Sequence, residues 1–109
     1  VKIGLNEVAI GLTLPRWAML LAGERLSKRH LQISVVNAQI VDGSGAVDAG
    51  FLDETTTPEN VVSRAIEVAQ GFAEQLDPKA YASTVRAMRS DLLTEMDQAV
   101  AADRAAAGL

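Results

Sequence analysis

The sequence predicts an α/β chain that is mostly helical, with short strands near residues 1–5 and 51–55. Three observations carry that prediction. Val1, Ile3 and Leu5 alternate as one face of a short strand. Thr57-Pro58 and Asp77-Pro78 each place a capping side chain directly before a proline, and a proline costs nothing in a first helical turn. Between Glu59 and Leu76, and again from Lys79 toward Ala106, apolar residues recur at the helical period. Two regions follow: residues 1–56 as the end of a compact core, and 57–109 as a C-terminal helical region.

In chain order, the strand at 1–5 runs into a connection in which Gly4 and Gly11 bracket Glu7. Pro15 opens a helical segment through Trp17, Met19, Leu20 and Leu21 to about Leu26. Ser27 can cap the next helix, Lys28 to about Ala38, which carries Leu31, Val35 and Val36 inward. Asp42-Gly43-Ser44-Gly45 reads as a turn, Ala46 to Ala49 as one helical turn stopped by Gly50, and Phe51-Leu52 as the start of a brief strand. In the helix from Glu59 to Leu76, the residues Val61, Val62, Ala65, Ala69, Phe72, Ala73 and Leu76 are the expected buried face. Tyr81, Val85, Met88, Leu92, Met96 and Val100 form the stripe of the last helix. That stripe is longer than a small chain can cover, so a partner surface is expected.

At 109 residues the chain is one domain at most, and its core must be built from aliphatic residues, since only 4% are aromatic. No apolar run is long enough to cross a bilayer, and no basic segment with a short apolar run opens the chain. The absence of cysteine removes disulfides and thiolate metal sites and suits a cytoplasmic protein. A single histidine excludes any site that needs two imidazoles. The net charge of −4, with acids and bases interspersed, argues against a nucleic-acid partner, which needs a clustered basic face. The opening on Val-Lys-Ile-Gly-Leu, without an initiator methionine, reads as the continuation of a longer polypeptide.

Few residues offer chemistry. There is no glycine-rich phosphate loop, no His-Glu metal spacing and no serine in a nucleophile elbow. His30, beside Lys28 and Arg29, reads as a surface residue. Arg64, Arg86 and Arg89 could hold a phosphate, although spaced ion pairs on solvated helix faces account for them more simply. Met88 and Met96 are spacers in the helix stripe. Glu7 stands just past a strand end, a common place for ligands in open α/β sheets. A lone glutamate in a polar connection is more often solvated than catalytic. Its apolar neighbours Leu5, Val8 and Ile10 would nonetheless disfavour the charged form and suit it to proton transfer near neutral pH.

At Ile3-Gly4-Leu5-Asn6-Glu7-Val8-Ala9-Ile10-Gly11-Leu12 the chain resembles the enoyl-CoA hydratase/isomerase, or crotonase, superfamily, where a strand is followed by Pro-Glu-Val-x-x-Gly-Leu. The likeness continues through Val41-Asp42, Ala46 to Glu54, Thr57-Pro58-Glu59 and the two final helices. It covers nearly all of this chain but only the later part of a crotonase. The resemblance implies the C-terminal part of a ClpP/crotonase-like fold, with 1–56 as the end of its core and 57–109 as an oligomerisation region. Glu7 matches the second of two glutamates that hydratases use to add water across the double bond of a 2-enoyl-CoA thioester. The first glutamate and the two N–H groups that hold the thioester oxygen lie in the family's earlier half. The substrate-binding residues it implies are Leu14, Pro15 and Trp17, at the border of the acyl pocket, and Arg86 for the coenzyme A phosphates. No cofactor is implied, since coenzyme A is part of the substrate. The expected partners are the upstream half of the same protein and further copies in a homotrimer or hexamer, with no nucleic acid and no membrane.

Three departures bear on that reading. Asn6 stands where the family has proline. Thr13-Leu14-Pro15-Arg16-Trp17-Ala18 replaces a glycine-rich segment that starts the helix bordering the acyl pocket. Val85 stands where a basic residue is usual, with Arg86 beside it. Hydration of 2-enoyl-CoA is the expected activity, with the 109 residues alone inactive. Double-bond isomerisation is the near alternative, and a non-catalytic helical oligomerisation module with a solvated Glu7 is a third.

Overall fold

The computed structural model describes all 109 residues, Val1–Leu109. The chain forms two compact units: Val1–Thr55 together with Thr94–Leu109, and Thr56–Leu93.

The first unit begins with β1 (Ile3–Gly4), which pairs antiparallel with β2 (Ile40–Val41), Ile3 opposite Val41 and Gly4 opposite Ile40. A 3-10 turn, Val8–Ile10, follows β1 and is closed by Gly11 in the left-handed region at φ 82°. Helix α1 (Arg16–Arg25) starts directly after Pro15, whose ring restricts φ to the −65° observed. Leu26 and Ser27 are extended and separate α1 from α2 (Lys28–Val35). The Ser27 N–H donates to the Ala49 carbonyl at 3.0 Å, which ties this break to α3 (Gly43–Ala49).

The core of this unit is small and tightly drawn. Ala22, Leu26 and Ala49 are buried together, with Leu5, Leu31, Val35 and Phe51 packed against them. Alanines at the contact let backbones approach closely. Gly50 shows how closely: it has φ 105°, and a side chain there would run into the Arg25 carbonyl oxygen and the Leu26 Cα.

Three local expectations are corrected here. The strand expected near 51–55 does not form; the partner of β1 is Ile40–Val41. Left-handed Gly50 instead turns Phe51 toward the core, and the Leu52 N–H returns to the Ala46 carbonyl at 3.3 Å. The segment Gly43-Ser44-Gly45 is helical rather than a turn, because Asp42 Oδ1 accepts from the Gly45 N–H at 2.8 Å and from the Ser44 hydroxyl at 3.1 Å. Helix α2 ends at Val35, short of Ala38, because Ala38 itself adopts φ 54° and leads into β2, leaving Val36 53% exposed.

The second unit holds a 3-10 turn, Pro58–Asn60, then α4 (Val61–Gln75) and the first part of α5 (Pro78–Ala106). Pro58 does open its helical segment, and Asp77 Oδ2 accepts from the Ala80 N–H at 2.8 Å, an N-cap bond that sets the start of α5. The expected buried face of α4 is not buried: no residue of α4 is, and Val62 is 70% and Phe72 55% exposed. Helical periodicity reports amphipathicity, and within these 109 residues the apolar face of α4 is left largely uncovered. Helix α5 is continuous over 29 residues, and its last part belongs to the first unit, where Arg16 Nη2 meets Glu95 Oε2 at 3.6 Å. No helix is long and apolar enough to cross a membrane.

Candidate active site

Glu7 does not sit on an extended strand end. Its backbone is right-handed helical at φ −55°, ψ −48°, as the residue that starts the 3-10 turn. Its carbonyl accepts from Ile10 N–H at 3.1 Å and Leu12 N–H at 2.8 Å. Two hydrogen bonds on one carbonyl, with Gly11 closing the turn, hold the Glu7 backbone more firmly than a solvated loop would. The side chain is half-buried. Its Oε2 is sealed from solvent and has no hydrogen-bond partner within the chain. Leu5 packs on the core, whereas Val8 and Ile10 are 49% and 61% exposed and leave an apolar surface beside the turn. Buried carboxylate oxygens nearly always have a donor. No donor among the 109 residues meets this atom.

The other site residues expected from the sequence are placed as follows. Leu14 is 4% exposed and belongs to the packed interior of the first unit. Pro15 is half-buried at the start of α1, and Trp17, in the first turn of that helix, is 40% exposed. Glu7, Leu14, Pro15 and Trp17 lie within ten residues of one another in the same unit; Arg86 lies on α5 in the other. Arg86 is exposed and forms no ion pair in the chain, while Arg64 pairs with Glu67 at 3.1 Å and Arg89 is also engaged. His30 is half-buried, with Nδ1 2.8 Å from the Ser27 hydroxyl. That bond takes the Ser27 side chain away from capping α2, and Ser27 makes no cap hydrogen bond.

An open cavity of about 420 Å³ lies at the edge of the β1–β2 pair, lined by Val1, Lys2, Ile40, Val41 and Asp42. Glu7 is not among its lining residues, and the cavity offers one carboxylate and one ammonium without further converging groups. The Asp42 carboxyl is held below the usual carboxylate range, first by the Gly45 N–H and then by the Ser44 hydroxyl. Both are capping bonds of α3, so this shift serves structure. No group of three or more His, Cys, Asp or Glu side chains is placed to hold a metal ion. One acid escaped the sequence analysis: Asp103, whose Oδ2 is also sealed and unpartnered. Its signal was an acidic residue in register with the apolar stripe of α5.

The fold matches part of a crotonase-type architecture, as comparison with solved structures shows. The chain is similar to an enoyl-CoA hydratase/isomerase family protein from Pseudomonas syringae, at TM-score 0.86 and 38% identity over 94% of this chain and 44% of that one. It is similar to a probable enoyl-CoA hydratase from Mycobacterium tuberculosis, at TM-score 0.88 and 40% identity over 99% of this chain and 45% of that one. A second structure of that same mycobacterial protein, described as an enoyl-CoA isomerase, gives TM-score 0.85 and 40% identity, over 99% of this chain and 46% of that one. No family model and no curated protein matches. The structural relatives of the chain are enoyl-CoA hydratase/isomerase family proteins, and the chain spans less than half the length of each, as a C-terminal portion would.

Proposed function

We propose that the chain is the later portion of an acyl-CoA enzyme of the crotonase type, in which Glu7 moves a proton at the substrate's acyl chain. The observation that carries this reading is the Glu7 Oε2 atom, shielded and without a partner on a turn whose backbone is doubly hydrogen-bonded. A carboxylate so held acts as a general base when charged and as a general acid once protonated. In hydration of a 2-enoyl-CoA it would take a proton from water or deliver one to the α-carbon, with a second carboxylate completing the exchange. In isomerisation it would remove a proton from one carbon of the thioester's enolisable chain and return it to another, so that one carboxylate suffices. Hydration leads. The relatives do not separate the two, since one mycobacterial protein is described in one structure as a probable hydratase and in another as an isomerase.

The acyl chain would lie along the exposed apolar surface next to Glu7, with Pro15 and Trp17 at its border and Leu14 supporting that border from the interior. Arg86, exposed and unpaired on α5, is the cation that the family resemblance suggests for the phosphates of coenzyme A. The remaining machinery would come from the upstream half of the protein, so the 109 residues alone would be inactive. No separate cofactor enters this scheme. The location consistent with it is the cytoplasm.

The exposed face of α4 and early α5 favours a further reading of the second unit. Val61, Val62, Ile66, Phe72, Leu76, Tyr81 and Met88 are each more than 40% exposed, a surface suited to association into a trimer or hexamer. Should that be the chain's whole role, it would sediment as an oligomer and show no affinity for coenzyme A esters.

The test of the catalytic reading is Glu7→Gln in protein that carries the preceding portion. Loss of a general acid/base should lower kcat for crotonyl-CoA hydration, or for isomerisation of a 3-enoyl-CoA, by about 10²–10⁴-fold. Turnover equal to that of the parent removes Glu7 from the mechanism.

A further inference from the structure

The residues of α5 that are not fully exposed are Val85, Leu92, Met96, Ala99 and Asp103. At about 100° per residue they fall within a sector of roughly 60°, a single seam along the helix. Four are apolar, and Ala99 is only 6% exposed. The fifth is an acid. Met96, Ala99 and Asp103 belong to the first unit, with residues Val1–Thr55, so this end of the seam rests on the unit that carries Glu7.

An acid at that position is costly unless something meets it. Asp103 Oδ2 is sealed and has no partner among the 109 residues. A shielded acceptor without a donor forfeits its hydration and gains nothing in return. Leucine or alanine would continue the seam at no such cost. The cations of this unit do not meet it: Arg16 is paired with Glu95 and Arg25 with Asp53, and Arg104, next in sequence, is exposed to solvent.

We infer that Asp103 is a docking point for an arginine or lysine of the preceding portion of the same protein, whose cationic N–H donates to Oδ2 and fastens the end of α5. The relatives are more than twice as long as this chain, which leaves ample polypeptide to supply that group. A charged donor fits better than a neutral one because it offsets the desolvation of the carboxylate as well as filling its lone pair. The inference rests on the proposed function only in that the chain continues upstream, and it assigns Asp103 no part in proton transfer.

The experiment is Asp103→Leu in two settings, read by melting temperature. In the longer protein the substitution strands a buried cation, and the melting temperature should fall by roughly 5 °C or more. In the 109-residue chain it replaces an unmet acid by a seam-compatible side chain, and the melting temperature should hold or rise. A rise or no change in the longer protein overturns the inference. So does an equal fall in both, which would mark Asp103 as satisfied within the chain. Asp103→Asn keeps the shape and removes the charge, and in the longer protein it should lose most of what leucine loses; parental stability would overturn the cationic donor. A loss that appears only at concentrations where subunits associate would move the donor to a second copy and overturn the assignment to the same polypeptide. If Glu7→Gln leaves turnover intact while Asp103→Leu still melts early, the catalytic reading fails and the docking point stands. Lost turnover beside an unchanged melting temperature gives the converse.

Discussion

Gly50→Ala tests how the first unit is packed. Gly50 has φ 105° and ψ 4°, and its N–H closes α3 on the Ala46 carbonyl at 3.1 Å. A methyl group there costs about 1–2 kcal/mol for the left-handed backbone alone. It would also meet the Arg25 carbonyl oxygen, with the Leu26 Cα at 3.3 Å and the Arg25 carbonyl carbon at 3.4 Å. These are backbone atoms, and they are held by the Ser27 N–H bond to Ala49 and by the burial of Leu26. They cannot swing aside as a flexible side chain could. Overpacking of this kind adds about 1–3 kcal/mol. Alanine stiffens the unfolded chain and returns about 0.4–1 kcal/mol. The net loss is about 1–4.6 kcal/mol, centred near 3.

Gly23→Ala is the control in the same unit. It lies within α1 and nothing stands within 4 Å of its added carbon, so the helix should gain about 0.5–1 kcal/mol. Urea unfolding followed by fluorescence of Trp17, the sole tryptophan, reports both. With a slope of about 1–3 kcal/mol per molar urea, Gly50→Ala should bring the midpoint down by about 1–2 M while Gly23→Ala moves it up. A Gly50→Ala midpoint at or above the parent's would show that the Arg25–Leu26 backbone yields, and the packing argument would fail.

Two further outcomes follow from capping. Asp77→Ala removes the bond from the Ala80 N–H at 2.8 Å and should cost about 1 kcal/mol, read as a lower urea midpoint with fraying at the start of α5 by hydrogen exchange. Folding lowers the Asp42 carboxyl below its ordinary value, through Gly45 and then Ser44, so its contribution is fully present above the unfolded-state value near 3.8. It is lost as pH falls through the lower folded-state value. Asp42→Asn keeps an acceptor that does not titrate, so it should flatten the acid limb of the stability profile below about pH 4. An acid limb identical to the parent's would refute the assignment.

The turn that carries Glu7 could be read ahead of the structure because its signals are local. Glu7 between Gly4 and Gly11 was visible as a carboxylate in a glycine-bounded connection, and Gly11 does adopt the positive φ that such a turn requires. The isolation of Glu7 Oε2 was not visible, because shielding is made by the surrounding surface and not by the neighbours Val8 and Ile10. The family resemblance put Leu14 at the border of the acyl pocket, and its burial, 4% exposed, is likewise not legible in its flanking residues.

By itself the sequence located α1, α2, α4 and α5 and, to within two residues, where they begin, but not the start of α3 at Gly43. Pro15, Pro58, Asp77 and Pro78 act within one turn of the residues they cap or constrain, so their effect is present wherever the segment sits. Tertiary structure alone decided which segment joined β1, since Ile40–Val41 and Phe51-Leu52 are both apolar pairs and only the direction set by Ala38 and Gly50 separates them. It also decided that the amphipathic face of α4 stays exposed while an acid, Asp103, lies on the covered seam of α5. Burial is a property of what approaches from elsewhere in the chain, and neither periodicity nor propensity carries that information.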